Sequence, residues 1–282
     1  MEKKLNDKII VMTGATSGLG KAAAKRFVEN GATLIVLYRN KDKLIDLQKE
    51  LDDKSVIVGI LCDLASSASI KNACEEIKKS YDRLDILINN AGIWSFDFQE
   101  SADGIEKTFH VNVLSPYILI KELHDLLLKS SSPKVITTAS GLYQGSLNFE
   151  DIEYREKFSG YKAYRQSKLA VILLTRLLAK KETEIVYVTQ HPGLVSTGLA
   201  RGGNWFAKLF FKFFGKSPEK GAKTLIHLVE SPSENLKSGE FYANQKVTKT
   251  STNESNDLEI AEKLENEVRF YIESKLNHLN LK

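Results

Sequence analysis

Three glycines stand close together near the start of the chain, in the segment Thr13–Gly20 (TGATSGLG). The apolar run Lys8–Thr13 precedes them, and a helix-forming segment follows. Glycines at positions 14, 18 and 20 let the backbone turn tightly and approach a pyrophosphate, and the next helix offers it free N–H groups and a partial positive charge. A turn placed between a strand and a helix predicts a dinucleotide-binding site. A tight turn without a ligand is the alternative.

The end of the second predicted strand indicates which dinucleotide binds. An acidic residue there would bond a ribose 2′-hydroxyl and repel a 2′-phosphate. The sequence reads Tyr38-Arg39-Asn40 instead, and Arg39 can pair with a 2′-phosphate. We therefore expect NADP(H) to be preferred over NAD(H). The alternative is that Arg39 is a solvated surface charge.

The elements that position these residues alternate regularly along the chain. Continuous apolar runs predict strands that are buried on both faces, and amphipathic segments predict helices between them. The predicted strands are Lys8–Thr13, Thr33–Tyr38, Ser55–Leu61, Leu84–Asn89, Lys134–Thr138, Glu184–Gln190 and Gly239–Tyr242. The predicted helices are Gly18–Asn30, Lys41–Leu51, Ser67–Tyr81, Asn112–Lys129, Lys162–Lys180, Pro218 to about Val229, and Asp257–Leu276. The pattern predicts one α/β domain over 1–282, a doubly wound parallel sheet of about seven strands with helices on both faces.

Composition excludes several other classes of protein. The net charge of +4 in 282 residues is too small and too interleaved for a nucleic-acid-binding surface. Cys62 and Cys74 are the only cysteines, so we expect neither a disulfide framework nor a metal site, and a reducing compartment such as the cytoplasm. The charged N-terminus does not read as a secretory signal, and no apolar run reaches the ~18 residues of a membrane span. The polar stretch Thr248–Asn256 predicts an exposed loop.

Five motifs in order resemble those of the short-chain dehydrogenase/reductase family, and the resemblance covers about the whole chain. They are the turn Thr13–Gly20, Cys62-Asp63-Leu64, Asn89-Asn90-Ala91-Gly92, Ser140, and Tyr164-Arg165-Gln166-Ser167-Lys168. His191-Pro192-Gly193-Leu194-Val195-Ser196-Thr197 matches the proline–glycine loop that follows the sixth strand. The resemblance implies a Rossmann-type fold and hydride transfer between a nicotinamide and a substrate carbon.

The candidate catalytic residues are Asn112, Ser140, Tyr164 and Lys168. Tyr164 and Lys168 are four residues apart, so on a helix they share one face. We expect the lysine ammonium to lower the pKa of the tyrosine, which then protonates a carbonyl or deprotonates an alcohol. Ser140 would bond the substrate oxygen. By resemblance, Lys168 also bonds the nicotinamide ribose and Asn112 holds a water in the proton relay.

The remaining cofactor contacts follow partly from the resemblance. It implies that Asp63 and Leu64 flank the adenine, that the Asn90 motif lines the nucleotide cleft, and that the proline–glycine loop holds the nicotinamide. An alternative for Asp63 is a helix cap. The expected set is Gly14, Thr16, Ser17, Gly18, Leu19, Gly20, Arg39, Asn40, Asp63, Leu64, Asn90, Ala91, Gly92, Tyr164, Lys168, Pro192, Gly193, Val195 and Thr197.

Several other residues of the chain compete with this set. Tyr143 and Tyr161 have no lysine four residues later, and Tyr161 is expected to pack or to touch substrate. His110 and His191 have no second ligand at metal spacing, so they are expected to be structural.

The 24-residue interval between Ser140 and Tyr164 resembles the retinol dehydrogenase-like and WW-domain-oxidoreductase-like branch. The segment 141–160 would border the substrate entrance. Many members of that branch begin with a membrane anchor, and this sequence does not, so we expect a soluble or peripherally bound enzyme. The expected substrate is a small apolar aldehyde, ketone or alcohol, retinoid- or lipid-like among the options, and a homodimer or homotetramer is a family-level expectation. A non-catalytic dinucleotide sensor and an isomerase or epimerase are the alternatives.

The segment 201–220 carries a net charge of +4 and six aromatic residues. The resemblance places a substrate lid at 199–217. Three interpretations stay open: the aromatics pack on the core, they line an apolar pocket, or residues 204–216 form an interfacial helix on an anionic membrane.

Overall fold

Eight strands form one sheet in the order β3-β2-β1-β4-β5-β6-β7-β8. The computed structural model describes residues 3–51, 57–193 and 217–275. The strands are β1 (Ile9–Thr13), β2 (Thr33–Tyr38), β3 (Ile57–Leu61), β4 (Ile86–Asn89), β5 (Lys134–Thr138), β6 (Val186–His191), β7 (Phe241–Ala243) and β8 (Lys246–Val247). All neighbouring pairs are parallel except β7 and β8. The doubly wound parallel sheet is therefore confirmed, and the short antiparallel β8 adds an eighth strand.

Helices cover both faces of this sheet. They are α1 (Gly18–Glu29), α2 (Lys41–Lys49), α3 (Ser67–Ser80), α4 (Lys107–Phe109), α5 (Ser115–Leu128), α6 (Gly160–Lys181), α7 (Pro218–Glu230) and α8 (Leu258–Lys275). Each strand sends alternate side chains to opposite faces. Val11 packs in the core that also contains Leu123 of α5, whereas Met12 packs in the opposite core with Phe27 of α1.

The predicted helix Asn112–Lys129 differs from the structure at its start. The helical segment begins at Lys107 and contains a π-helical turn, His110–Leu114, before α5. All five residues of that turn are buried. Such turns often occur at functional sites, and this one contains Asn112.

Parallel strands end at the same edge of the sheet, so the segments after β1, β4, β5 and β6 meet there. The strand order reverses between β1 and β4, which makes this the topological switch point where ligands bind in doubly wound folds. The motifs named from the sequence follow these strand ends. The fold therefore brings Gly14, Asn90, Ser140 and Pro192 to one edge.

Candidate active site

The turn after β1 has the geometry of a phosphate cradle. Gly14 and Gly18 have φ angles of 67° and 53°, in the left-handed region that favours glycine. A Cβ on Gly20 would lie only 2.0 Å from the Gly14 carbonyl oxygen, so the helix can pack against the turn only without a side chain. The Ser17 side chain makes no capping hydrogen bond to α1. Among the described residues, therefore, no side chain caps the N–H groups at the start of α1, which fits a pyrophosphate.

The Asn90 side chain hydrogen-bonds the backbone of this turn. Its Nδ2 donates to the main-chain oxygens of Thr13 (3.3 Å) and Gly14 (3.2 Å). The Thr13 hydroxyl accepts hydrogen bonds from the backbone N–H groups of Asn90 and Ala91, both at 3.0 Å. These hydrogen bonds connect the ends of β1 and β4, and Asn90 thereby stabilises the conformation of the glycine turn.

Tyr164 lies in the second turn of α6 and is 4% exposed. Burial raises the pKa of Tyr164, while a hydrogen bond from the Ser140 side chain has a smaller lowering effect. The pair Tyr164 and Ser140 is therefore assembled, but the expected lowering of the tyrosine pKa is wrong for the chain alone. The Lys168 Nζ lies 5.7 Å from the Tyr164 ring centroid, and the stabilisation that its ammonium gives a phenolate is smaller than the cost of burying that phenolate.

Lys168 is 4% exposed and makes no ion pair with any residue that the structure describes. Its Nζ donates to the Thr138 carbonyl oxygen at 3.0 Å. A Cβ on Gly92 would lie 3.2 Å from this Nζ, so the loop after β4 passes directly over the amine. Burial lowers the pKa of Lys168 to about 8. A buried lysine without a counter-charge is expensive and is typical of a functional site.

Asn112 connects the π-helical turn to α6. Its Nδ2 donates to the Ile93 carbonyl and to the Ser167 Oγ, each at 2.9 Å, and its Oδ1 accepts from the Ile93 N–H at 2.9 Å. Both amide donors are therefore used within the protein. The side chain positions the loop after β4 and has no donor left for a water.

Trp94 is a site residue that sequence reasoning missed. Its ring stacks on that of Tyr164, with centroids 4.7 Å apart and planes within 10°. The Phe96 ring also stacks on Trp94, with centroids 5.3 Å apart, and the ring of the exposed Tyr161 lies 6.1 Å from that of Trp94. The Trp94 Nε1 is buried and has no hydrogen-bond partner among the described residues. The only sequence signal was its position two residues after Gly92.

The two histidines differ in their relation to the site. The His191 Nδ1 accepts a hydrogen bond from the Gly141 N–H at 2.9 Å, so His191 fixes the turn that carries Ser140. His110 is fully buried against Ser67, and burial lowers its pKa to about 4, so it is neutral at pH 7. Among residues 3–51, 57–193 and 217–275, no cluster of side chains could hold a metal ion.

The other predicted cofactor residues border the same edge of the sheet. Arg39 is exposed after β2 and makes no ion pair with a described residue, and the Asn40 side chain caps α2 by accepting from the Lys43 N–H. The Asp63 carboxylate accepts from the Ala65 N–H, while Ser66 is the N-cap of α3. Leu64 is half-buried, as are Thr16, Ala91, Pro192 and Gly193. Leu19 is buried in the first turn of α1.

Several predictions fall outside the described residues. They are the cofactor contacts Val195 and Thr197, the membrane contact at 204–216, and the lid at 199–217 except for Ser217, which caps α7. No helix in the described part of the chain is long and apolar enough to cross a membrane.

The family model for short chain dehydrogenases matches residues 8–204. The chain belongs to the short chain dehydrogenase family. It is similar to retinol dehydrogenase 14 of Mus musculus (34% identity; 86% of this chain and 79% of the relative) and to polyprenol dehydrogenase of Homo sapiens (31% identity, with the same shares). Among solved structures it resembles the RhlG/NADP active-site complex of Pseudomonas aeruginosa, with a TM-score of 0.69, 25% identity, and coverage of 86% of this chain and 96% of the other.

These similarities place this short chain dehydrogenase in the retinol dehydrogenase-like branch. It is an oxidoreductase that acts on CH–OH and carbonyl groups and uses a nicotinamide cofactor. The glycine cradle and the buried Tyr164 and Lys168 fit that chemistry at a single edge of the sheet.

Proposed function

We propose that this enzyme transfers hydride between NADP(H) and an apolar aldehyde, ketone or alcohol. The convergence of Tyr164, Ser140 and Lys168 beside the glycine cradle carries this proposal. The raised pKa keeps the Tyr164 phenol protonated at neutral pH, which is the form that donates a proton to a carbonyl oxygen. The nicotinamide supplies the hydride when it is bound.

The substrate class follows from the side chains that surround Tyr164. The rings of Trp94, Phe96 and Tyr161 form an apolar wall on this side of the phenol. Such a wall favours a hydrophobic substrate over a sugar or a charged acyl group at the reacting end. The names of the retinol and polyprenol dehydrogenases support an isoprenoid-like or other lipid-like substrate.

The proposal is tested by an absorbance assay of the full chain with NADPH and a panel of aldehydes and ketones, and with NADP⁺ and the corresponding alcohols. We expect turnover with apolar members of the panel. Cofactor binding without turnover of any member would instead favour the non-catalytic sensor.

Arg39 should determine the cofactor preference. Arg39→Asp replaces a cation by an anion where a 2′-phosphate would lie, and a charge-assisted hydrogen bond contributes about 1.5–3 kcal/mol. We expect kcat/KM for NADPH to fall about 10–100-fold and that for NADH to change little. Lys41→Asp, at the next exposed cation along the chain, is the matched control for net charge. A wild-type preference for NADH would contradict the proposed specificity.

Location and assembly are further parts of the proposal. Cys62 and Cys74 are buried free thiols, which supports a reducing compartment such as the cytoplasm. The basic and aromatic composition of 204–216 supports peripheral membrane contact or a lid over the substrate. A homodimer or homotetramer rests on the family resemblance alone.

A further inference from the structure

A second cavity lies beside α6, separate from the cradle and from Ser140. Its volume is about 400 Å³, and it lies between the first turns of α6 and the segment 141–160. The helix contributes Lys162, Arg165 and Gln166, and the segment contributes residues 143–148 and Tyr154. Nothing in the proposed hydride transfer uses these side chains.

The lining of this cavity is basic. Lys162 and Arg165 supply two positive charges, and none of the described residues that line the cavity is a carboxylate. Neither side chain forms an ion pair with a residue that the structure describes. The Arg165 Nε is buried and has no hydrogen-bond acceptor among those residues. The guanidinium therefore keeps hydrogen-bonding capacity that no described residue uses.

The walls of the cavity are fixed before any ligand arrives. The Gln166 side chain accepts from the Asn148 N–H at 2.7 Å and donates to the Ile152 carbonyl at 2.8 Å, which ties the segment to the helix. Gly145 has a φ of 121°, and a Cβ there would lie 3.6 Å from the Arg165 Nη2, so the backbone passes close to the guanidinium. Tyr154 holds a φ of 51°, which is unusual for an aromatic residue and is often found at functional sites.

The cavity is connected to the catalytic residues through a series of aromatic rings. The Arg165 guanidinium carbon lies 5.1 Å from the Tyr161 ring centroid. Tyr161 contacts Trp94, which stacks on Tyr164. Arg165 and Tyr161 are four residues apart on α6, so the cavity adjoins the stripe of the helix that borders the apolar wall.

We propose that this cavity binds an oxyanion, a carboxylate or a phosphate, through the guanidinium of Arg165 with Lys162 as the second cation. The planar fork of an arginine matches both groups, and the lysine adds a point charge. The anion is either the far end of a substrate whose reacting end lies at Tyr164, which rests on the proposed function, or a separate small molecule.

The first arm of the test measures binding of free anions. Inorganic phosphate and acetate are titrated at constant ionic strength into the full chain saturated with NADP⁺, which removes the cradle as a competing site. The readout is the Arg165 Nε–H resonance in an NMR spectrum, assigned by its loss in Arg165→Lys. We expect a saturable shift of this resonance in the wild type. Lys162→Met should weaken the shift. Lys180→Met, which changes an exposed site on the same helix, should leave it intact.

The second arm compares an unbranched aldehyde with the same aldehyde carrying a terminal carboxylate. We expect the ratio of their kcat/KM values to favour the carboxylate roughly tenfold in the wild type and in Lys180→Met, and to collapse in Arg165→Met. A response in the first arm alone supports a separate small anion, and a response in the second supports the end of the substrate. Absence of any Arg165-dependent response in both arms overturns the proposal, whereas turnover of the uncharged aldehyde reports on the proposed function independently.

Discussion

Tyr164→Phe is expected to lower kcat about 10²–10⁴-fold and to leave the affinity for NADP(H) within a few-fold of the wild type. The substitution removes only the phenolic oxygen, which is the proton donor in carbonyl reduction. The ring stays in its stack on Trp94 and the buried site loses no apolar contact. The measurement is steady-state turnover with the best substrate of the panel, together with cofactor binding by titration.

Tyr161→Phe provides the matched control, because it removes the same atom from the same helix three residues earlier. Tyr161 is 47% exposed, and no described residue accepts or donates a hydrogen bond at its hydroxyl. We expect the fold-decrease in kcat for Tyr161→Phe to be at least 10 times smaller than that for Tyr164→Phe. If both variants lose activity equally, or if Tyr164→Phe retains it, Tyr164 is not the acid.

The sequence was sufficient for the parts of the fold that depend on local pattern. The strands were predicted to within about two residues because each is a short apolar run followed by a turn or a helix. The turn Thr13–Gly20 was recognisable because its glycines stand between a strand and a helix. The order of the strands, and hence the edge at which the motifs meet, follows from the βα alternation and its right-handed crossovers.

Features held by distant partners were not predictable. The π-helical turn contains Asn112, whose side chain bonds Ile93 and Ser167, which lie 19 and 55 residues away. The stack of Trp94 on Tyr164 likewise joins a loop to a helix 70 residues further along the sequence. No local pattern records such pairs.

The stretch Thr248–Asn256 shows the same limit in a polar segment. It was expected to be an exposed loop, but Thr250 and Ser255 are buried. Arg176 of α6 donates to the Thr250 hydroxyl at 3.3 Å and to the Ser255 carbonyl. The Tyr143 hydroxyl also accepts from the Ser251 N–H at 2.7 Å, so contacts with distant side chains bury part of the segment, and composition does not indicate them.

Lys168 should set the alkaline limit of carbonyl reduction. Burial lowers its pKa to about 8, so the ammonium is present below that pH and is lost above it. The charge stabilises the phenolate that forms on Tyr164 as the proton leaves, so kcat/KM should be constant below about pH 8 and fall about tenfold per pH unit above it. In Lys168→Arg the guanidinium does not titrate in this range. For Lys168→Arg we expect lower activity overall and no fall in kcat/KM near pH 8. If that fall persists in the variant, it belongs to another titrating group.

Lys168→Met separates the catalytic role of this amine from a structural one, because the two roles predict opposite changes in stability. We expect kcat/KM to fall about 10²–10³-fold. The free energy of unfolding should rise by about 1–3 kcal/mol at pH 7, because the variant no longer buries an ammonium without a counter-charge. The sign follows from linkage: a lysine whose pKa is lowered in the folded state opposes folding below about pH 8, and that cost disappears as the pH rises toward 10.5, the ordinary value. The gain from Lys168→Met should therefore shrink between pH 8 and 10.5 in urea unfolding. A variant that loses both activity and stability would show that Lys168 is needed to hold the fold at Thr138, whereas a more stable but inactive enzyme is the result expected of a residue retained for its chemistry.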